Sequence, residues 1–294
     1  MKVKIAGAPI SWGVCEAANW GHQMSADRVF AEMSSLGITG TEFGPLGFLP
    51  TDPASRSKVL TALGMQAIGG FFPVLLHDPA FDPLPSVKAE LDAYAAAGAS
   101  VLVIAVEQPG GTYDRKRPEL DDVSWSVLLA NLRRIDDYAA SRGVLATVHP
   151  HVGTMVETHN DIQRVIDGTA IGICFDTGHM FIGGTDPVAF SKQHSPRVKH
   201  AHLKDVRLDL AQQVQRGELT YYQAVVQGMY TPLGDGDVDV RAIVHNLLND
   251  GYDGWFCLEQ DNVVASEPEK GAGPYADAKR SVEYIRAVID EYSA

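Results

Sequence analysis

Short apolar runs alternate with longer amphipathic stretches from one end of the chain to the other. Runs rich in β-branched residues and bounded by Gly or Pro fall at residues 4–10, 39–43, 66–74, 100–106, 144–149, 171–175, 198–203 and 255–259. Their length and content predict buried strands. Between them apolar residues recur at helical spacing: Val29, Phe30 and Met33 in 27–35, Leu128, Leu132, Ile135 and Tyr138 in 124–141, and Val240, Ile243, Val244, Leu247 and Leu248 in 239–249. Each set falls on one helix face. Several of these helices stop at a glycine with a strand immediately behind it, as at Gly37, Gly98, Gly143 and Gly251. Glycine there closes the helix in the left-handed conformation. Strand then helix, repeated eight times, predicts an α/β fold, a (β/α)8 TIM barrel forming a single domain over residues 1–294. A doubly wound sheet would want a Gly-rich phosphate loop after the first strand, and Ala6-Gly7-Ala8-Pro9-Ile10-Ser11-Trp12-Gly13 is not GxGxxG.

Composition narrows the partners. The formal net charge of −13 repels phosphate backbones and anionic lipid, which argues against nucleic acid and favours a small neutral substrate or a cation. Cys15, Cys174 and Cys257 are scattered and form no CxxC, so a zinc knuckle or a disulfide framework is not expected, and a reducing, cytoplasmic setting is. The start Met1-Lys2-Val3-Lys4-Ile5 turns polar too early for a signal peptide. No apolar run is long enough to predict a membrane span. A homo-oligomer is compatible with all of this.

Three segments read as loops with work to do. Residues 108–122, with Pro109, Gly110, Gly111 and Pro118, follow the fourth strand and read as an active-site loop. Residues 205–232 are an insertion with its own helical pattern, suited to a lid. Residues 260–275 follow the last strand.

The chemistry collects where the strands end, which in a barrel is the catalytic face. After strand five come Thr147, His149, His151 and, further on, Glu157. The first three alternate to one side, toward the barrel mouth. Strand six ends in Asp176 with His179 behind it, strand seven in His202 and Lys204, and strand eight in Glu259. Asp176, His202 and Glu259 each close an apolar strand, and an ionised carboxylate there needs a cation or strong donors. Together they make an O/N site for Mn²⁺, Co²⁺, Zn²⁺ or Mg²⁺. For His149, His151 and Glu157, ligand, catalytic and structural roles weigh nearly equally. His159, His194 and His245 lie in helical or loop positions and are given no role, and Asp205 reads as a support for Lys204.

These strand-end segments resemble the xylose-isomerase-like barrel superfamily of sugar isomerases, epimerases and dehydratases. His149-Pro150-His151, Phe175-Asp176-Thr177-Gly178-His179, His200-Ala201-His202-Leu203-Lys204-Asp205 and Leu258-Glu259-Gln260 carry the likeness. Within it the chain is most similar to the inosose dehydratase family, through Ala8-Pro9-Ile10-Ser11-Trp12-Gly13, Gly40-Thr41-Glu42-Phe43-Gly44, Gly47-Phe48-Leu49-Pro50 and His149-Pro150-His151-Val152-Gly153-Thr154. The resemblance implies one divalent metal, Mn²⁺ or Co²⁺ first, held by Glu, Asp, His and Glu from strands five to eight. Asp176, His202 and Glu259 match the last three. Thr147 stands where the first carboxylate is expected, so that ligand is either lost or supplied by Glu157, His151 or His149, with Glu157 slightly favoured because it restores the charge.

The activity implied is dehydration of a keto-polyol such as 2-keto-myo-inositol, by loss of the α-proton and then of the β-hydroxyl. His149, His151, His179 and Lys204 are the candidates for acid and base. Lys204 could act as the base if burial and metal lower its pKa, or hold a hydroxyl. Glu42 is expected to bind substrate hydroxyls, and Trp12 to form an apolar wall against the ring. The alternatives are a keto-sugar isomerase or epimerase, a lyase on an oxidised glycoside, and a non-catalytic sugar-binding barrel. An abasic-site endonuclease is disfavoured by the acidic charge.

Overall fold

A computed structural model of the chain describes residues 3–108 and 113–293; Pro109, Gly110 and Gly111 of the predicted active-site loop lie outside them, as do Met1 and Lys2. Among the described residues, eight parallel strands close into a barrel. They are β1 Lys4–Gly7, β2 Gly40–Glu42, β3 Gln66–Val74, β4 Val101–Val106, β5 Leu145–Val148, β6 Gly172–Asp176, β7 Val198–Leu203 and β10 Trp255–Leu258. Two short strands, β8 Asp205–Val206 and β9 Tyr230–Thr231, pair antiparallel within the predicted insertion. All eight expected strands are present, and β3 and β7 have the expected bounds. The expected 4–10 run stops early: Pro9 cannot donate to a ladder, and Pro9–Trp12 turns into a 3-10 helix closed by Gly13 at φ 78°.

The helices bury the faces their spacing marks. Val29, Phe30 and Met33 are fully inside, as are Leu128, Leu132 and Ile135, and Val240, Ile243, Val244 and Leu247. Tyr138 is only half-buried. Gly37, Gly98, Gly143 and Gly251 all sit at positive φ, between 71° and 79°, so the helix-to-strand reversals are made as the sequence suggests. Gly69 answers a different need. A Cβ there would lie 2.0 Å from the Val101 carbonyl oxygen of the neighbouring strand.

Alternation along each strand sorts the residues into two layers. Leu102 and Ile104 join the large cluster between strands and helices, whereas Val101, Val103 and Cys174 form one small cluster, and Ala6, Ala8, Ile68 and Cys257 another. These small residues plug the barrel interior. Above the plug, register sets the catalytic face: Asp176 pairs with His202 across β6 and β7, and Leu258 pairs with Leu203 across β10 and β7. That places Glu259 beside Lys204.

Candidate active site

Asp176 divides its two oxygens. Oδ1 accepts the backbone N–H of His179 at 2.7 Å and caps the helix Thr177–Ile182. Oδ2 points inward, 3.2 Å from His149 Nε2, 3.5 Å from His202 Nδ1 and 3.2 Å from Lys204 Nζ. Glu259 Oε2 lies 2.9 Å from the same His202 Nδ1 and 3.0 Å from Lys204 Nζ. The ligand atoms of Asp176, His202 and Glu259 all fall within 4.8 Å of one another. His202 Nδ1 and Glu259 Oε2 are buried and make no hydrogen bond of acceptable geometry among the described residues. Two converging carboxylate oxygens and an imidazole nitrogen, the Glu259 oxygen and the nitrogen without a hydrogen-bond partner among the described residues, fit a divalent cation.

Lys204 is 2% exposed and stands where a cation is wanted. It donates to Asp261 Oδ1 at 2.8 Å and to His179 Nε2 at 3.0 Å, besides its pairs with Asp176 and Glu259. Burial alone would lower its pKa, but Asp176, Asp261 and Glu259 hold it well above the ordinary lysine value. Among these carboxylates the ammonium form of Lys204 is favoured, a donor and not an acceptor, which weighs against the lysine as base and for its holding or protonating a hydroxyl.

The histidines go the other way. Burial lowers the pKa of His149, and lowers those of His151 and His179 further, so these rings are neutral near pH 7. Their partners fix the tautomers. His151 Nδ1 lies 2.7 Å from the Val152 carbonyl, which only accepts, so Nδ1 carries the proton and Nε2 the lone pair. His179 Nε2 accepts from Lys204, leaving Nδ1 to donate to Tyr230 Oη at 3.4 Å. The His151 and His179 rings lie 3.7 Å apart, centre to centre.

A cavity of about 370 Å³ opens above this cluster. His149, His151, Lys204, Glu259 and Asp261 form its polar end, with Trp20, Phe43 and Phe71 among its apolar walls. His179 does not line it; this ring backs Lys204 instead.

Three expected site residues are placed differently. Trp12 is 1% exposed and gives its indole N–H to Glu32 Oε2 at 2.8 Å, behind the barrel wall; Trp20 lines the cavity in its stead. Glu42 reaches the cavity, but its Oε1 already accepts from His200 Nε2 at 2.8 Å and His202 Nε2 at 2.7 Å. Burial would raise the Glu42 pKa, yet His202 and His200 outweigh it and keep the group ionised. Glu157 is turned away: it accepts the Gly153 N–H at 3.0 Å and lies 3.5 Å from Arg117 Nε. None of the ligand clusters among the described residues includes it. The chain turns between His151 and Glu157, where Thr154 bonds back to the His151 carbonyl, and this carries Glu157 to the surface pair. Thr147 donates sideways to the Leu102 carbonyl at 3.0 Å. Asp205 does not support Lys204 but accepts the N–H groups of Gly234, Gly236 and Val238, stapling the insertion.

Asp261, Tyr221 and Tyr230 were not singled out from the sequence. Tyr221 Oη donates to Asp261 Oδ2 and lies 3.0 Å from Tyr230 Oη, so the insertion walls the site as a lid segment would. Asp261 could have been found, since it follows Glu259 by two residues as Lys204 follows His202. The tyrosines carried no such signal.

The family model of xylose isomerase-like TIM barrels matches residues 30–288. An inosose dehydratase of Geobacillus thermodenitrificans (strain NG80-2) is 30% identical over 298 residues, covering 97% of each chain. The rhizopine catabolism protein MocC of Rhizobium meliloti is 32% identical over 294 residues, covering 97% of this chain and 88% of that one. Among solved structures, an L-ribulose 3-epimerase superposes with a TM-score of 0.72 at 15% identity, covering 99% of this chain and 96% of that one. With its strand-end cluster and its match over most of its length, the chain belongs to the xylose isomerase-like TIM barrel family.

Proposed function

We propose that this protein is a metal-dependent carbon–oxygen lyase of the inosose dehydratase kind, acting on a keto-polyol such as 2-keto-myo-inositol. One observation carries the reading: His202 Nδ1, Glu259 Oε2 and Asp176 Oδ2 converge, the first two buried without a hydrogen-bond partner among the described residues, beside a cavity of sugar-accommodating size that Glu259 lines. Full-length similarity to inosose dehydratases supports it. Asp176, His202 and Glu259 would hold a divalent ion, with His149 Nε2 as the donor that stands in for the missing strand-five carboxylate. The oxygen and nitrogen donors suit Mn²⁺ or Co²⁺. Bound there, the ion would supply Lewis acidity toward a ketone oxygen.

The chain's own residues divide the proton work. His151, which lines the cavity and carries its lone pair on Nε2, takes the proton from the carbon next to the ketone. The Lys204 ammonium gives a proton to the departing β-hydroxyl, which leaves as water. A C–H and a C–O bond break, a C=C bond forms, and no net oxidation occurs. Phe71, whose ring lies 5.9 Å from that of His149 and 5.7 Å from that of His151, packs an apolar wall against both rings. Metal-reconstituted protein given 2-keto-myo-inositol should build the ultraviolet absorbance of an enol-dione, and chelated protein should not. An epimerised ketone without that absorbance would replace this reading with epimerisation. No turnover of any ketoinositol or keto-sugar would remove both.

A further inference from the structure

Glu42 lies on β2 and His202 on β7, with β1 and β10 between them in the barrel wall, so their hydrogen bond crosses the barrel interior. Glu42 Oε1 lies 2.8 Å from His200 Nε2 and 2.7 Å from His202 Nε2. His200 and His202 are two apart on β7 and so share a face. All three side chains are 5% exposed or less. An ionised carboxylate only accepts, so both Nε2 atoms must carry protons. With Nε2 of His202 protonated, the single lone pair of the neutral ring is on Nδ1. That is the atom aimed at Glu259 Oε2 and Asp176 Oδ2, and it lacks a hydrogen-bond partner among the described residues.

We infer that Glu42, clamped by His200, is a positioning residue that fixes the ring orientation and tautomer of His202 so that Nδ1 faces the cation site. This rests on the metal-site reading above. It also reassigns Glu42, expected from the sequence to hold substrate hydroxyls, to a role beneath the site. Hydrogen bonds of this kind behind a ligating histidine orient it and raise its basicity. His200 supplies the second donor that a buried carboxylate requires. Glu42, His200, His202 and Cys257 could alternatively hold an ion themselves, since their ligand atoms also lie within 4.8 Å of one another. The 2.7 and 2.8 Å contacts speak for hydrogen bonds, because two ligands on one tetrahedral ion of ordinary bond length sit about 3.3 Å apart.

Zn²⁺, which is diamagnetic, is the probe. The parent should bind one equivalent by calorimetry, and ¹⁵N-histidine spectra should show His202 coordinated through Nδ1 with Nε2 protonated. Glu42→Gln should weaken Zn²⁺ at least tenfold, leave the melting temperature of the ion-free protein near that of the parent, and let the His202 Nε2 proton exchange quickly. Parent-like Zn²⁺ affinity in Glu42→Gln, coordination through Nε2, or a second equivalent held by Glu42 and Cys257 would each overturn the inference. If Glu42→Gln does not fold, the parent spectra alone decide which nitrogen faces the ion. Were Zn²⁺ not to bind the parent, the metal reading would fall by itself. Glu42 would then be judged on the His202 Nε2 proton of the ion-free parent, slow to exchange if the clamp exists and fast if it does not.

Discussion

Asp261 accepts a 2.8 Å hydrogen bond from the Lys204 ammonium, joining the chain just past β10 to the chain just past β7. Of the three carboxylates around Lys204, Asp176 and Glu259 also point at His202 Nδ1, and Asp261 does not. An ion taking Asp176 and Glu259 would leave Asp261 as the counter-ion that keeps Lys204 protonated. Asp261→Asn should therefore leave metal affinity within a few-fold of the parent and lower kcat by ten- to a hundredfold. The sign of the pH effect follows: Asp261 raises the Lys204 pKa, and a general acid fails as pH rises through its pKa. The alkaline limb of the kcat profile should move to lower pH in Asp261→Asn. An unmoved limb would remove Lys204 from the acid role.

Metal affinity should depend on pH through His202. Burial would push this ring toward its neutral form, but Cys174, Glu259 and Glu42 outweigh it and hold the pKa well above the ordinary histidine value. The raised pKa favours a proton at Nδ1, 2.9 Å from Glu259 Oε2, in the ion-free protein, where it would compete with the ion. Each ion must displace it, so affinity should rise with pH by about tenfold per unit for one proton. Calorimetry in buffers of different ionisation enthalpy should count about one proton released at pH 7. A count of zero, with affinity flat between pH 6 and 8, would show that His202 is not a ligand.

Trp12 and Trp20 should separate packing from substrate contact. Trp12→Phe removes the indole N–H that Glu32 accepts and should cost about 1–3 kcal/mol of stability with KM unchanged. Trp20 lines the cavity, and its indole N–H bonds to the Asn262 carbonyl at 2.9 Å. Trp20→Leu should raise KM severalfold. The reverse pattern, with KM moved by Trp12→Phe alone, would restore Trp12 to the substrate wall.

Much of this was legible in the sequence because it depends on local periodicity. Strand positions, the glycine-closed helices, and the inward alternation that places Asp176, His202 and Glu259 at strand ends are all short-range patterns. The differences between the sequence reading and the structure concern direction after a strand ends. Trp12 follows a strand, but Pro9 bends the chain into a 3-10 turn that sends the indole outward. Glu157 had the right charge, but the turn at 151–157 ties it to Gly153 and Arg117. The elevated Lys204 pKa follows from three carboxylates converging from two different strand ends, a sum no single segment reveals.

Strand five gives the sharpest remaining test. Thr147 cannot supply a carboxylate, and His149 Nε2 is the strand-five atom brought within 3.2 Å of Asp176 Oδ2. If His149 is the fourth donor, His149→Ala should weaken metal binding at least tenfold, about 1.4 kcal/mol. Glu157→Gln should bind metal like the parent. That variant keeps an oxygen to accept the Gly153 N–H but loses its charge beside Arg117, so it should cost stability by no more than about 1 kcal/mol. His151→Gln, which removes the base and leaves the cluster of Asp176, His202 and Glu259 in place, should abolish turnover while keeping metal affinity. Calorimetric titration of the three variants distinguishes these cases without a substrate. Loss of binding in Glu157→Gln would mean that the 151–157 turn reorganises around the ion. Parent-like binding in all three would leave three protein ligands, an open position being what catalytic metal sites often keep.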